Sequence, residues 1–249
     1  MPRNSLINTP IKKIITIDGP SASGKGAVSM KLAASLGWHI LPSGTIYRAV
    51  AVNMLRSQLD EDDEASIAAL VAQTQVSFCV EDLGVKNAPQ TRLMTYLNGE
   101  CIDQELFKSE VTRLASHIAQ YSGLRQELLP VQRSFAKEPG LVAEGRDMGT
   151  VVFPGAQLKL YLDASATERA KRRWLQLRDS ASTDAYAYRS EEEVLAAIES
   201  RDHRDATREN APLKQHPDAI VINTDNLSVD EVVDAVLSDM MAKIPLFNK

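Results

Sequence analysis

Cysteine is nearly absent from this chain: Cys79 and Cys101 are the only two in 249 residues. Two thiols cannot make a disulfide framework, and their spacing matches no metal-ligand pattern, so a reduced cytosolic setting with inert thiols is expected. Long apolar runs are missing too. None approaches the roughly 18 residues of a membrane span, and 1–13 has no apolar core of signal-peptide length, so a soluble, cytoplasmic protein is expected. Positive charge is not in excess: 28 Lys and Arg stand against 33 Asp and Glu, a net of −5. That balance argues against a sequence-independent nucleic-acid binder and requires any anion site to be built locally. No Asn-Lys-x-Asp guanine-reading segment occurs, which argues against a GTPase switch. His39, His117, His203 and His216 share no motif and read as structural or solvent-facing. Internal repeats and low-complexity tracts are also lacking.

What is present begins at Ile14-Ile15-Thr16-Ile17-Asp18, a β-branched run that delivers Gly19-Pro20-Ser21-Ala22-Ser23-Gly24-Lys25-Gly26. The spacing of Gly19, Gly24 and Lys25 fits a P-loop, whose backbone N–H groups, lysine and helix N-terminus cradle phosphate oxygens. The pattern asks for a hydroxyl directly after the lysine, and this chain has Gly26 and then Ala27. Val28, Leu32 and Leu36 recur every fourth residue, and Gly37 then stops the helix.

Apolar runs at 14–17, 38–41, 141–143, 158–162 and 220–222 are short and nearly continuous, as parallel strands covered on both faces should be. Helical patterns alternate with them, three opening on the capping boxes Ser165-x-x-Glu168, Ser190-x-x-Glu193 and Ser228-x-x-Glu231. The layout is α/β and doubly wound, and the length suits one domain with small appended subdomains. The segments 75–80 and 92–97 read instead as antiparallel strands, with Asn98-Gly99 as a hairpin turn. Helices return at 109–121 and 122–136, with a kink or break expected near Pro130, because an interior proline costs a helix about 3 kcal/mol. The polar stretch 179–188 reads as a mobile surface loop.

Arginines form the second informative pattern. Arg201, Asp205 and Arg208 are spaced to share one helix face, which by itself also suits a solvated, salt-bridged surface. Glu144-Gly145-Arg146-Asp147-Met148-Gly149 ends a strand in a charged, glycine-flanked turn, where open α/β sheets bind ligands. Ser43 to Arg48 reads as a similar strand-end turn entering a helix.

GPSASGKG at 19–26, SGTIYR at 43–48, EGRDMGTVVFP at 144–154 and RDHRDATR at 201–208, in this order, resemble the bacterial cytidylate kinases, a family of P-loop nucleoside monophosphate kinases. The resemblance implies a P-loop three-layer α/β/α fold with a mainly parallel central sheet, an inserted small antiparallel β-subdomain and a mobile lid. One kinase domain at 12–249 would comprise a core (12–42, 138–164 and 209–249), an acceptor-binding region (43–137, with the β-subdomain at about 74–108) and a lid at about 165–208. An N-terminal extension, 1–11, would precede it.

The same resemblance implies transfer of the γ-phosphoryl of ATP to CMP or dCMP, a step in pyrimidine nucleotide metabolism. Gly19, Pro20, Ser21, Ala22, Ser23, Gly24, Lys25, Gly26 and Ala27, with Arg172, would hold ATP. Ser43, Tyr47, Arg48, Ser116, Arg125, Arg146, Asp147, Arg201 and Asp205 would hold CMP. Within that set, Arg48 and Arg146 would grip the phosphate, Ser116, Arg125 and Asp147 would read cytosine, and Tyr47, Arg201 and Asp205 would lie near the sugar. Lys25, Arg146 and Arg208 would serve the phosphates being exchanged, and Arg169, Lys171, Arg172 and Arg173 resemble the start of the lid. Mg²⁺ would accompany ATP, held mainly by phosphates and water without a protein metal ligand, with Ser23, Asp18 and Glu144 as outer-shell candidates. The acceptor oxygen is already anionic, so no general base is required. The implied partners are small nucleotides, with no nucleic acid and no membrane, and a monomer is expected. Family members usually carry threonine at the position of Ala27, glycine at Ala22 and an acidic or polar residue at Pro42. A P-loop kinase for a non-nucleotide acceptor and a nucleotide-binding regulator without turnover are the competing readings.

Overall fold

The computed structural model describes residues 13–82, 91–179 and 190–243. The expected extension 1–11, part of the inserted β-subdomain and nearly all of the polar loop 179–188 lie outside the described residues. The chain starts with β1 (Ile14–Asp18), α1 (Lys25–Leu36), β2 (His39–Pro42), α2 (Ser43–Arg56) and α3 (Glu64–Leu70). An antiparallel sheet follows, of β3 (Val76–Asp82), β4 (Thr91–Leu97) and β5 (Glu100–Cys101). Next come α4 (Asp103–Leu106), α5 (Ser109–Ile118), α6 (Ser122–Ser134), β6 (Leu141–Gly145) and β7 (Leu158–Asp163). The chain continues through α7 (Ala166–Asp179), α8 (Glu191–Thr207), β8 (Ile220–Asn223) and α9 (Val229–Lys243).

The five apolar runs build a parallel sheet in the order β2-β6-β1-β7-β8. Because side chains alternate along a strand, β1 serves two cores. Ile15 and Ile17 pack with Val28 and Leu32 of α1 and Val232 and Val236 of α9. Ile14 faces the other way, into a cluster with α2, α5 and α6 through Val50, Leu114 and Leu124. Each such fully buried aliphatic contributes about 1.5–3 kcal/mol, so the sheet is held from both faces. α7 and α8 pack on each other around Ala170, Leu177, Val194 and Ile198. The carboxyl ends of β1, β2 and β6 therefore open onto one crevice, where the P-loop, the start of α2 and the Arg146 turn emerge together.

Local signals explain much of this. Gly37 closes α1 in the left-handed conformation at φ 64°, and Asn98 and Gly99, at φ 51° and 85°, turn β4 into β5 as a hairpin requires. At Ser228 the capping box is reciprocal: Glu231 N–H donates to Ser228 Oγ, and Ser228 N–H to Glu231 Oε2. At Ser165 and Ser190 the hydroxyl accepts from the residue three positions on.

Three expectations are corrected. Of the kink or break expected near Pro130, the break is absent: α6 is one helix from Ser122 to Ser134. Pro130 and Gln126, whose carbonyl loses its helical donor, are both exposed, while Leu124, Leu128 and Gln132 anchor the helix on both sides of the proline. Ser43 starts α2 directly at the end of β2, with no intervening turn. Arg208 is the residue after α8, with extended backbone, and its side chain returns to Asp205 at 3.8 Å rather than projecting from a helix face.

Candidate active site

The P-loop is shaped by backbone that side chains would obstruct. Gly19 has φ 148°, and a Cβ there would stand 2.0 Å from the carbonyl oxygen of Leu162. Ala22 takes the left-handed conformation at φ 60° despite its methyl group, and Gly24 at φ 89° caps α1. Lys25 is buried. Its Nζ donates to the carbonyl of Pro20 and to Ser23 Oγ, the latter at 3.3 Å. Burial, and then the positive charge of Arg146, push the Lys25 ammonium down to about 7, against the opposing pull of Glu144.

A cavity of 330 Å³ opens above this loop. Ser21, Ala22, Gly24, Lys25, Gly26 and Ala27 line it on one side; Gly19, Pro20 and Ser23 stay beneath, fixing the loop and the lysine. No hydroxyl follows Lys25, and Ala27 is exposed at the start of α1. Arg172 also reaches the cavity, held by Glu168 Oε1 at 2.9 Å and by Thr224 Oγ1 at 3.1 Å.

From α2 come Ser43, Tyr47 and Arg48, from α5 Ser116, from α6 Arg125, and from the end of β6 Arg146 and Asp147. Arg125 Nη2 donates to Asp147 Oδ2 in a nearly buried ion pair, and its guanidinium lies over the Tyr47 ring at 5.9 Å. Burial raises the Tyr47 phenol to about 12, so it stays protonated. Ser116 Oγ is buried without a hydrogen-bond partner. Arg48 donates to the carbonyl of Leu106 and to Thr112 Oγ1, and stacks 5.3 Å from the Phe107 ring. Phe107 and Gln176 also line the cavity; no periodicity or motif marks either in the sequence.

Arg201, Asp205 and Arg208 complete the wall. Arg146 Nε donates to Asp205 Oδ2 at 2.8 Å. Burial alone would raise the Asp205 carboxyl, but Arg146 and then Arg201 hold it below its ordinary value. The guanidiniums outnumber the carboxylates that face them: Arg201 Nε and Arg208 Nη2 are buried without partners. Burial, then neighbouring arginines, push Arg48 and Arg201 below the ordinary guanidinium value. Such a cluster is stabilised by an anion. None of the histidines lines the cavity.

Against this geometry, residues 15–242 match the cytidylate kinase family. The chain belongs to that family. A cytidylate kinase from Pasteurella multocida (strain Pm70) is 44% identical over 227 residues, covering 91% of this chain and 94% of that protein. One from Aeromonas salmonicida (strain A449) is 43% identical, covering 90% and 92%. Among solved structures, a gluconokinase from Sinorhizobium meliloti 1021 aligns over 93% of each chain at 11% identity, with a TM-score of 0.45.

Several basic residues of this cytidylate kinase family member have other work. Arg169, expected at the start of the lid, is buried and braces the P-loop, donating to the carbonyls of Ala164 and Ser21 and to Asp202 Oδ2. Lys171 is exposed. Arg173 faces an adjoining 370 Å³ cavity together with Arg48, Arg201 and Arg204. Of the outer-shell candidates for Mg²⁺, Ser23 Oγ is engaged by Lys25 and the carbonyl of Pro20, and both Asp18 oxygens accept backbone N–H groups. Glu144 alone lines the cavity. No group of three acidic, histidine or cysteine side chains able to hold a metal occurs among the described residues.

Proposed function

We propose that this protein transfers the γ-phosphoryl of ATP to the 5′-phosphate of CMP or dCMP, giving ADP and CDP or dCDP. The observation that carries this reading is the buried Arg125–Asp147 pair beside the unpartnered Ser116 hydroxyl, in the same cavity as Lys25 and an excess of guanidiniums. A carboxylate at Asp147 accepts from the exocyclic amine of cytosine, where uracil presents a carbonyl. Ser116 and Arg125 add donors to the base edge, and Tyr47 lies against Arg125.

The acceptor phosphate oxygen is anionic near neutral pH and needs no base. The reaction instead needs two repelling anions neutralised and held in line. Arg48 and Arg146 bind the acceptor phosphate through their planar forks, Lys25 and the P-loop N–H groups bind the donor, and Arg208 with Arg201 offsets charge on the group in transfer. Mg²⁺ would be held chiefly by the phosphates and water, with Glu144 as the outer-shell candidate that lines the cavity, and would neutralise donor charge. The described residues of 43–137 carry the acceptor side, and α7 and α8, within about 165–208, form a lid that closes to exclude water. The protein acts as a cytoplasmic monomer on free nucleotides, without nucleic acid or membrane; no helix among the described residues is long and apolar enough to cross a membrane.

The test is ADP formation from ATP and Mg²⁺ with CMP, dCMP, UMP and AMP offered separately. Turnover with CMP and dCMP far above UMP and AMP is expected. No turnover with any acceptor would overturn the reading in favour of nucleotide binding without catalysis.

A further inference from the structure

Asp18 closes β1 and stands immediately before Gly19, yet its carboxylate does not face the phosphate cradle. Oδ1 accepts the N–H of Met148 and Oδ2 the N–H of Gly149, both at 2.8 Å. These N–H groups open a wide turn, Met148–Val152, whose hydrogen bonds span five residues, from Val152 N–H to the Asp147 carbonyl and from Phe153 N–H to the Met148 carbonyl. Such turns leave their first N–H groups without partners inside the turn. Arg146 and Asp147 directly precede it.

The seat is built closely. A Cβ on Gly149 would stand 2.9 Å from Thr16 Oγ1 and 3.3 Å from Asp18 Oδ2, so only glycine lets the turn sit down on β1. Asp18 and Gly145 are also register partners across β1 and β6. Two convergent N–H groups call for two acceptors on one side chain, which a carboxylate supplies and an amide does not.

We propose that Asp18 is a positioning residue for acceptor selection: by clamping Met148 and Gly149 it locks Arg146 and Asp147 to the strand that carries the P-loop. This rests on the reading that Asp147 faces the cytosine amine. The clamp is maintained against burial, which, with Asp147 adding to it, raises the Asp18 carboxyl to about 6, while the two N–H groups and Lys25 oppose the rise. The titratable groups that face it are Lys25 of α1, Asp147 just before the turn and Tyr161 of β7, its register partner; Lys159 of β7 borders Gly149 with its aliphatic stem and donates its Nζ to the carbonyl of Ala156. Protonation removes one acceptor.

The experiment compares kcat/KM for CMP and UMP, and KM for ATP, in the full-length protein and in Asp18→Asn, Asp147→Ala and Thr16→Val. Asp18→Asn is expected to lower the CMP-to-UMP ratio about tenfold or more, through KM for CMP, with KM for ATP changed less than about twofold. Thr16→Val touches neither N–H and is expected to leave the ratio intact. A ratio kept in Asp18→Asn but lost in Asp147→Ala overturns the positioning role alone; a ratio kept in both overturns the base-reading assignment as well. As a second measurement that needs no variant, the ratio is expected to fall at least about threefold between about pH 7.5 and about pH 5.5, as Asp18 protonates. The acceptor phosphate titrates alike in CMP and UMP and cancels. A flat ratio overturns the pH dependence, and a flat ratio together with a ratio kept in Asp18→Asn overturns the positioning role.

Discussion

Arg146 and Asp205, 59 residues apart in the chain, meet through a 2.8 Å hydrogen bond from Nε to Oδ2, so the turn after β6 is tied to α8 by a nearly buried ion pair. Arg201 and Arg208 act on the same carboxylate. Asp205→Ala would leave three guanidiniums crowded in low dielectric, and a loss of about 3 kcal/mol in stability is expected. Inorganic phosphate should raise Tm more in this variant than in the parent, because it supplies the missing charge. The Asp205 carboxyl is held below its ordinary value in the folded state, so its contribution is present above the ordinary carboxylate range and lost as pH falls through the folded value. Denaturant titrations at descending pH should show a weaker acid-side loss in Asp205→Ala.

Burial, and then Arg146, push the Lys25 ammonium of the free protein down to about 7. A triphosphate beside it restores the charged form, so donor binding near neutral pH should take up a fraction of a proton, and a larger fraction slightly above it. Calorimetry of ATP binding in buffers of different ionisation enthalpy checks this. An observed heat independent of the buffer would refute it.

Asp147→Ala should cost CMP turnover at least about 100-fold in kcat/KM, and UMP turnover less than about tenfold, because only the cytosine amine loses its acceptor. The removed carboxylate also leaves Arg125 without its ion-pair partner, so Tm should fall in parallel. Steady-state rates with both acceptors decide the first point: equal losses would mean that Asp147 does not read the base.

Ala27 is exposed beside the cavity, so Ala27→Thr should fold normally and place a hydroxyl two positions after Lys25, where relatives in the family usually carry threonine. One added hydrogen bond to a charged group is worth about 1.5–3 kcal/mol at most, and KM for ATP is expected to fall about three- to tenfold, with KM for CMP unchanged. Initial rates at varied ATP test it, and an unchanged KM would mean that the loop N–H groups and Lys25 already saturate the donor's oxygens.

Local chemistry made much of this readable in the chain itself. The five strand runs, the Gly37 stop, the Asn98-Gly99 turn and the Ser228 capping box all depend on residues within a few positions of one another. The break expected at Pro130 is absent because the cost of a helical proline depends on whether the freed carbonyl faces solvent, and the exposure of Gln126 is a tertiary property. Arg169 and Arg172 sit one turn apart on α7 with the same charge, yet Arg169 braces Ser21 from 148 positions away while Arg172 reaches the cavity. Nothing in the spacing separates them.

The order of the four motifs, together with residue types suited to phosphate and cytosine, determined by itself the family and the set of side chains to watch. Only the tertiary structure decided which of them face the cavity and which hold others in place. Asp18 is the clearest case: its neighbours in sequence make it part of a phosphate loop, but its carboxylate belongs to a turn 130 residues away, because the parallel pairing of β1 with β6 brings two orphan N–H groups to it.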